Sequence, residues 1–124
     1  MKLLVDTHAA LWWLAGDDRF GDEASRQLVD QRSQVLLSAA VVWEIATKRS
    51  LGKLELPGAG VQALLDAGAQ ALPISLEHAA AVERLPPHHR DPFARMLVAQ
   101  AIVEGAAIVS RDAALQPYGV PLVW

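Results

Sequence analysis

Short apolar runs recur along this chain at Leu3–Val5, Val35–Leu37, Ala107–Val109 and Val120–Val123, each set between stretches of helical pattern. That alternation restricts the fold more than any other feature. Apolar runs this short, joined by helices, read as a parallel sheet whose two faces are both covered, a three-layer α/β/α sandwich. The helical stretches are His8–Ala15, Asp22–Arg32, a segment capped by Ser38 and running to about Ser50, Pro57–Ala67, Ser75–Leu85 and Pro92–Glu104. Ala71–Ile74 is a further apolar stretch, and Gly16, Gly52 and the Pro117-Tyr118-Gly119 turn act as stops. No repeat, linker or low-complexity tract interrupts the series, so residues 1–124 are expected to form a single domain.

Composition narrows the function classes. Hydrophobic residues make up 52% and charged residues 20%, a globular balance. The mean hydropathy of +0.21 suggests apolar surface that a partner covers, although alanine richness inflates the value. There are no cysteines, which excludes disulfides and zinc–thiolate sites and suits a reducing compartment. The charge at Asp6 interrupts the opening apolar run too early for a secretion signal, and no apolar run is long enough to cross a bilayer, so a cytoplasmic protein is expected. The net charge of −3 rules out gripping nucleic acid by bulk attraction; a local basic patch or a bound cation would have to do it.

In parallel sheets, sites form beyond the carboxyl ends of the strands. Asp6 follows the first run directly, and Asp112 follows Ala107–Val109 with Ser110 and Arg111 between. Each aspartate also reads as a helix cap or turn residue. Glu44 either pairs with Lys48 four residues on or turns toward Asp6. Asp91-Pro92 is a helix start with an N-cap and proline at N1; Ala94, at N3, lies on the same side of that helix as Asp91. His88 and His89 sit in a proline-stiffened loop, where solvent exposure or contact with a phosphate or partner is expected. Clustered carboxylates favour a hard, oxygen-loving cation over one that prefers imidazole.

In order, the segments Leu4-Val5-Asp6-Thr7-His8-Ala9-Ala10-Leu11-Trp12, Leu37-Ser38-Ala39-Ala40, Val42-Trp43-Glu44-Ile45-Ala46 with Lys48, Gly52-Lys53-Leu54, His89-Arg90-Asp91-Pro92-Phe93, Ala99-Gln100-Ala101, Val109-Ser110-Arg111-Asp112 and Tyr118-Gly119-Val120 with Trp124 resemble the PIN-domain family, and within it the VapC toxins. The resemblance implies a ribonuclease whose acidic cluster holds Mg²⁺ or Mn²⁺, paired with a VapB-like antitoxin and often dimeric. Asp6, Glu44 and Asp112 match family acids. The family's further aspartate follows Pro-Phe directly, and this chain has Ala94 there. That departure puts activity in doubt rather than fold: the chain reads as a naturally degenerate enzyme or, the favoured alternative with every other motif intact, as a copy inactivated so that a toxic nuclease can be made in quantity.

On that resemblance, the expected reaction is hydrolysis of an RNA phosphodiester by metal-activated water. Thr7, Ser110 and Asp91 are expected to support the acids, and Lys48, Arg49, Lys53, Arg90, Arg95 and Arg111 to steer RNA, with single-stranded or looped RNA favoured over duplex. Asp6, Glu44 and Asp112 should converge on one pocket, with the Ala94 β-carbon facing it. Trp12 and Trp13 are about 100° apart around a helix, so at least one is expected near an interface. A receiver domain would need a pair of acids after its first strand, and a haloacid-dehalogenase-like phosphatase an aspartate where His8 stands. The stronger rival is a non-catalytic PIN domain that binds RNA or an antitoxin.

Overall fold

The computed structural model describes residues 1–56 and 58–124. In chain order the elements are β1 (Lys2–Val5), α1 (Thr7–Ala15), α2 (Asp22–Val29), β2 (Gln34–Ser38), α3 (Ala39–Ser50), α4 (Gln62–Asp66), β3 (Gln70–Leu72), α5 (Leu76–Ala81), α6 (Pro92–Glu104), β4 (Ala107–Val109) and β5 (Leu122–Val123). Two 3₁₀ turns, Val82–Arg84 and Ala113–Tyr118, complete the described chain. The five strands form one all-parallel sheet in the order β3-β2-β1-β4-β5.

β1 is the centre of this sheet. Leu3 and Leu4 are fully buried and Val5 nearly so. Successive strand residues point to opposite faces, so helices must cover both, as expected of a three-layer α/β sandwich. Ile108 and Val109 of β4, and Val41, Val98 and Ala101 of the flanking helices, complete this core. The strand order reverses direction at β1, whose neighbours are β2 on one side and β4 on the other. The Asp6 amide continues the ladder by donating to the Val109 carbonyl at 3.2 Å. The ends of β1 and β4, remote in sequence, are thereby locked side by side.

Most expected elements are present, and the differences have local causes. α2 stops at Val29 rather than Arg32, because Asp30 is extended and its carboxylate takes the Arg32 amide at 2.9 Å, closing a turn. The expected helix Pro57–Ala67 begins on Pro57, which lies outside the described residues. Gly58 and Gly60 have φ of 61° and 59°, left-handed values that no right-handed helix tolerates, so α4 starts only at Gln62. The Ser75–Leu85 helix is α-helical to Ala81 and then tightens into a 3₁₀ turn. The Val120–Val123 strand is reduced to Leu122–Val123 at the sheet edge, just after Pro121, which has no amide to donate.

Candidate metal centre at the carboxyl end of the sheet

Three aspartates cap helical segments at this end of the molecule, and each does so with a single carboxylate oxygen. Asp6 Oδ1 accepts from the Ala9 amide (2.8 Å), Asp91 Oδ1 from Phe93 (3.0 Å) and Asp112 Oδ1 from Ala114 (3.0 Å). The cap interaction stabilises each start by roughly 1 kcal/mol and orients the carboxyl group. The second oxygen of each takes no part in the capping bond. All three groups line one cavity of about 240 Å³, together with Thr7, His8, Glu44, Lys48, His89 and Ala94, floored by Leu97 and Leu115.

Glu44 reaches this cavity from α3 and is buried. Its Oε1 accepts from the Thr7 hydroxyl at 2.5 Å, and its Oε2 pairs with Lys48 Nζ at 2.8 Å. Both readings of Glu44 are therefore realised together: it pairs with Lys48 one turn on, and it lines the cavity beside Asp6. Thr7 supports Glu44 rather than its neighbour Asp6. Ser110 stands between the other two acids: its Oγ accepts from the Asp112 amide at 3.0 Å and its hydroxyl interacts with the Asp6 carboxylate.

Burial pushes the Asp6 carboxyl above its ordinary range, and the nearby negative charge of Asp112 adds to that rise. Ser110, the Ala9 amide and His8 pull the other way without offsetting it. A cation beside Asp6 would relieve the cost of holding this charge.

Among the described residues, no three Asp, Glu or His side chains come close enough to ligate one ion directly. The donor set is nonetheless a hard-oxygen one. Asp6 and Asp112 each have one oxygen outside the capping bond, whereas both oxygens of Glu44 are engaged. This fits a cation that keeps several waters and takes one or two carboxylates, as Mg²⁺ does. It does not fit a structural zinc site, which closes on four donors, most often cysteine and histidine.

The basic residues divide. Lys48 lines the cavity. Arg111 is exposed and stands over the Trp12 ring, 4.6 Å from its centroid. Arg90, Arg49 and Lys53 are exposed and away from the cavity wall. Arg95, expected to steer RNA, is instead a strut. Its guanidinium donates to the carbonyls of Pro86 (2.9 Å), Val82 and Leu85 (both 3.3 Å) and to the Tyr118 hydroxyl (3.2 Å). It thus holds the proline-rich loop that carries His88 and His89.

Of two further cavity residues, His89 carries the expectation of meeting solvent, a phosphate or a partner, and His8 carries none of its own. His89 accepts the Asp91 amide on Nδ1 (3.1 Å), which places the proton of the neutral ring on Nε2, 3.5 Å from Asp112 Oδ2. His8 stands at the cavity mouth, at the second position of α1. Each histidine lies two residues from a capping aspartate in the sequence. Trp12 and Trp13 are both half-buried and engaged within the chain, Trp12 against Trp124 and Trp13 stacked on Phe20.

The PIN domain family profile matches residues 3–119. No protein of curated function matches the chain by sequence. Among solved structures, the chain is similar to VapBC2 from Rickettsia felis bound to a DNA fragment from their promoter, with TM-score 0.72 and 14% identity over 98% of this chain and 97% of that one. It is also similar to FitAB bound to an IR36 DNA fragment (TM-score 0.65, 17% identity, 97% and 92% covered). FitAcB from Neisseria gonorrhoeae gives TM-score 0.61 at 17% identity, with 97% and 95% covered. At these identities the three structures establish a shared fold.

Proposed function

The chain belongs to the PIN-domain family, and from that premise we propose that it is built as a metal-dependent endoribonuclease, the toxin half of a toxin–antitoxin pair, with its activity impaired by Ala94. The observation that carries this reading is the single cavity at the carboxyl end of β1 and β4, where three capping aspartates and Glu44 meet an otherwise acid-free gap at Ala94.

In this reading Asp6 and Asp112 hold Mg²⁺ or Mn²⁺ through the oxygens that do not cap. A divalent ion there supplies a water of lowered pKa and offsets charge on the phosphate oxygens. Ser110 keeps the two aspartates apart at a set spacing. Thr7 and Lys48 hold Glu44 in one rotamer, so that its carboxylate orients water at the cavity wall. Lys48 also draws the RNA backbone toward an otherwise negative site, and His89 donates from Nε2 toward Asp112 or a phosphate oxygen near it. Asp91 completes the acidic rim.

The partner in this proposal is a VapB-like antitoxin. Support comes from an apolar groove beside the sheet edge, lined by Leu37, Val42, Trp43, Leu65, Leu72 and Pro73, which suits an amphipathic segment. Trp43 there is 56% exposed, unusual for an indole. Two identical chains pairing in solution are part of the same proposal, as is residence in the cytoplasm and a single domain over residues 1–124. Among the described residues no helix is long and apolar enough to cross a membrane.

The test is Ala94→Asp. A carboxylate at this position adds a ligand or water-holding group beside Asp6 and Asp112, and changes to groups around a metal typically alter affinity or activity about 10–100-fold. Magnesium-dependent cleavage of a mixed RNA pool should rise by at least that factor over the Ala94 form, and chelator should abolish it. The rival reading, a PIN domain that binds RNA or antitoxin without cutting, draws on the Lys48 ion pair that already neutralises Glu44. A restored protein that folds but neither cleaves RNA nor responds to Mg²⁺ or Mn²⁺ would establish the rival.

A further inference from the structure

A second hollow, of about 280 Å³, opens directly beside the acidic cavity and shares Asp6, His8 and Asp112 with it. Its remaining walls are of another character: Trp12, Arg111, Ala113 and Trp124. The His8 and Trp12 rings are tilted against each other with centroids 5.7 Å apart, and Trp124 meets Trp12 edge-on, also at 5.7 Å. Such a group of rings is ordinarily core packing. Here it is not enclosed, because His8 and Arg111 are exposed and Trp12 and Trp124 only half-buried.

Arg111 is the second sign of a ligand. Among the described residues its guanidinium makes no ion pair and no hydrogen bond. It is held over the Trp12 ring by a cation–π contact, while Arg19 approaches the same ring at 4.7 Å. A cation held in this way keeps its N–H donors free for something that enters the hollow. Trp124 is set firmly in the wall. Phe20 packs edge-on against it at 5.4 Å, and it lies so close to Gly21 that a β-carbon there would stand 2.4 Å from the Trp124 carbonyl carbon.

We propose that this hollow is a nucleotide subsite. It takes one unpaired nucleobase of the RNA strand, the one adjoining the phosphate that enters the acidic cavity, against the His8 and Trp12 rings, with Arg111 donating to that nucleotide's base edge or phosphate. The inference rests on the nuclease reading and adds to it which part of the substrate is recognised, and by what. Flat rings and a guanidinium accept any base, so the subsite selects for an unstacked, single-stranded position more than for sequence. A base still paired in a duplex cannot enter.

The Ala94 chain suits the test, because binding is measured without extensive cleavage. Anisotropy titrations with a short labelled single-stranded RNA, in magnesium, are set against the same strand carrying abasic nucleotides. The intact strand should bind roughly tenfold more tightly, the scale of one base stacked on aromatic rings. His8→Ala and Trp12→Leu should each shrink the ratio of intact to abasic binding, and His8→Phe, which keeps a ring, should retain it. His8 is exposed, so its variants report even if Trp12→Leu fails to fold. Equal binding of intact and abasic strands, or a preference unmoved in folded His8→Ala, overturns the subsite and leaves the nuclease reading in place. Failure of both the Ala94 and the Ala94→Asp proteins to bind any RNA overturns the two together.

Discussion

Asp6 gives one oxygen to the Ala9 amide at the end of β1, and burial with the Asp112 charge nearby raises its pKa above 3.8. The folded protein therefore binds more protons than the unfolded chain in the interval between that value and the raised one. Stability contributed by this group falls as pH rises through the interval, and the carboxylate is a net cost at neutral pH in the absence of a cation. Asp6→Asn keeps the cap, since its amide oxygen accepts the same bond, and removes the charge. In chelator at neutral pH it should melt higher than the parent, with a flatter stability profile above pH 4. Magnesium should raise the parent's melting temperature and leave the variant's unchanged. A variant that melts lower in chelator would show that the buried charge is already compensated by protein. At this scale the sequence was readable in residue type but not in role. Aspartate is favoured both as a helix cap and as a cation ligand, so Asp6, Asp91 and Asp112 satisfied either reading on spacing alone. His8 and His89 were less visible, because what aims them is the strand pairing and the Arg95-held loop.

α6 was the most legible element, because its signals agree: Asp91 at the N-cap, Pro92 at N1, and Gly105 at φ 66° beyond its end. The region before α4 was the least legible, since Gly58 and Gly60 interrupt an otherwise helical pattern. α2 shows a constraint of another kind. Its N-cap position is Gly21, with an ordinary φ of −69° and no capping side chain, so glycine is not there for its backbone freedom. It is there for space, because Trp124 occupies the volume a β-carbon would need. Gly21→Ala should push Trp124 and the end of β5 outward at a cost of about 1–3 kcal/mol, as overpacking does. That corresponds to a melting temperature lower by roughly 3–10 °C. Calorimetry checks the size, and because the nearest atom is the Trp124 carbonyl carbon, Gly21→Ala should cost much less in a chain from which residue 124 is deleted than in the parent. If it costs as much in that shortened chain, the crowding lies elsewhere.

For the whole molecule, the parallel three-layer arrangement followed from the alternation of apolar runs and helices. The order of the strands did not, because pairing of β1 with β4 depends on contacts between opposite ends of the chain. The exposed groove at Trp43 also belongs to this scale. Trp43→Glu, on a half-exposed ring that touches Phe93 edge-on, should leave the melting temperature within a few degrees. It should sharply reduce co-purification with the VapB-like antitoxin of the proposed pair. Undiminished co-purification would move the partner's seat to another face. The central place of β1 has a further consequence, during synthesis. β1 leaves the ribosome first, yet its neighbour on one side is β4, so the first strand made must wait for nearly the last before its second edge is covered. Asp6 and Asp112 are brought together only by that final pairing. If the proposed activity holds, a nascent chain carries no assembled acid pair until β4 has docked beside β1.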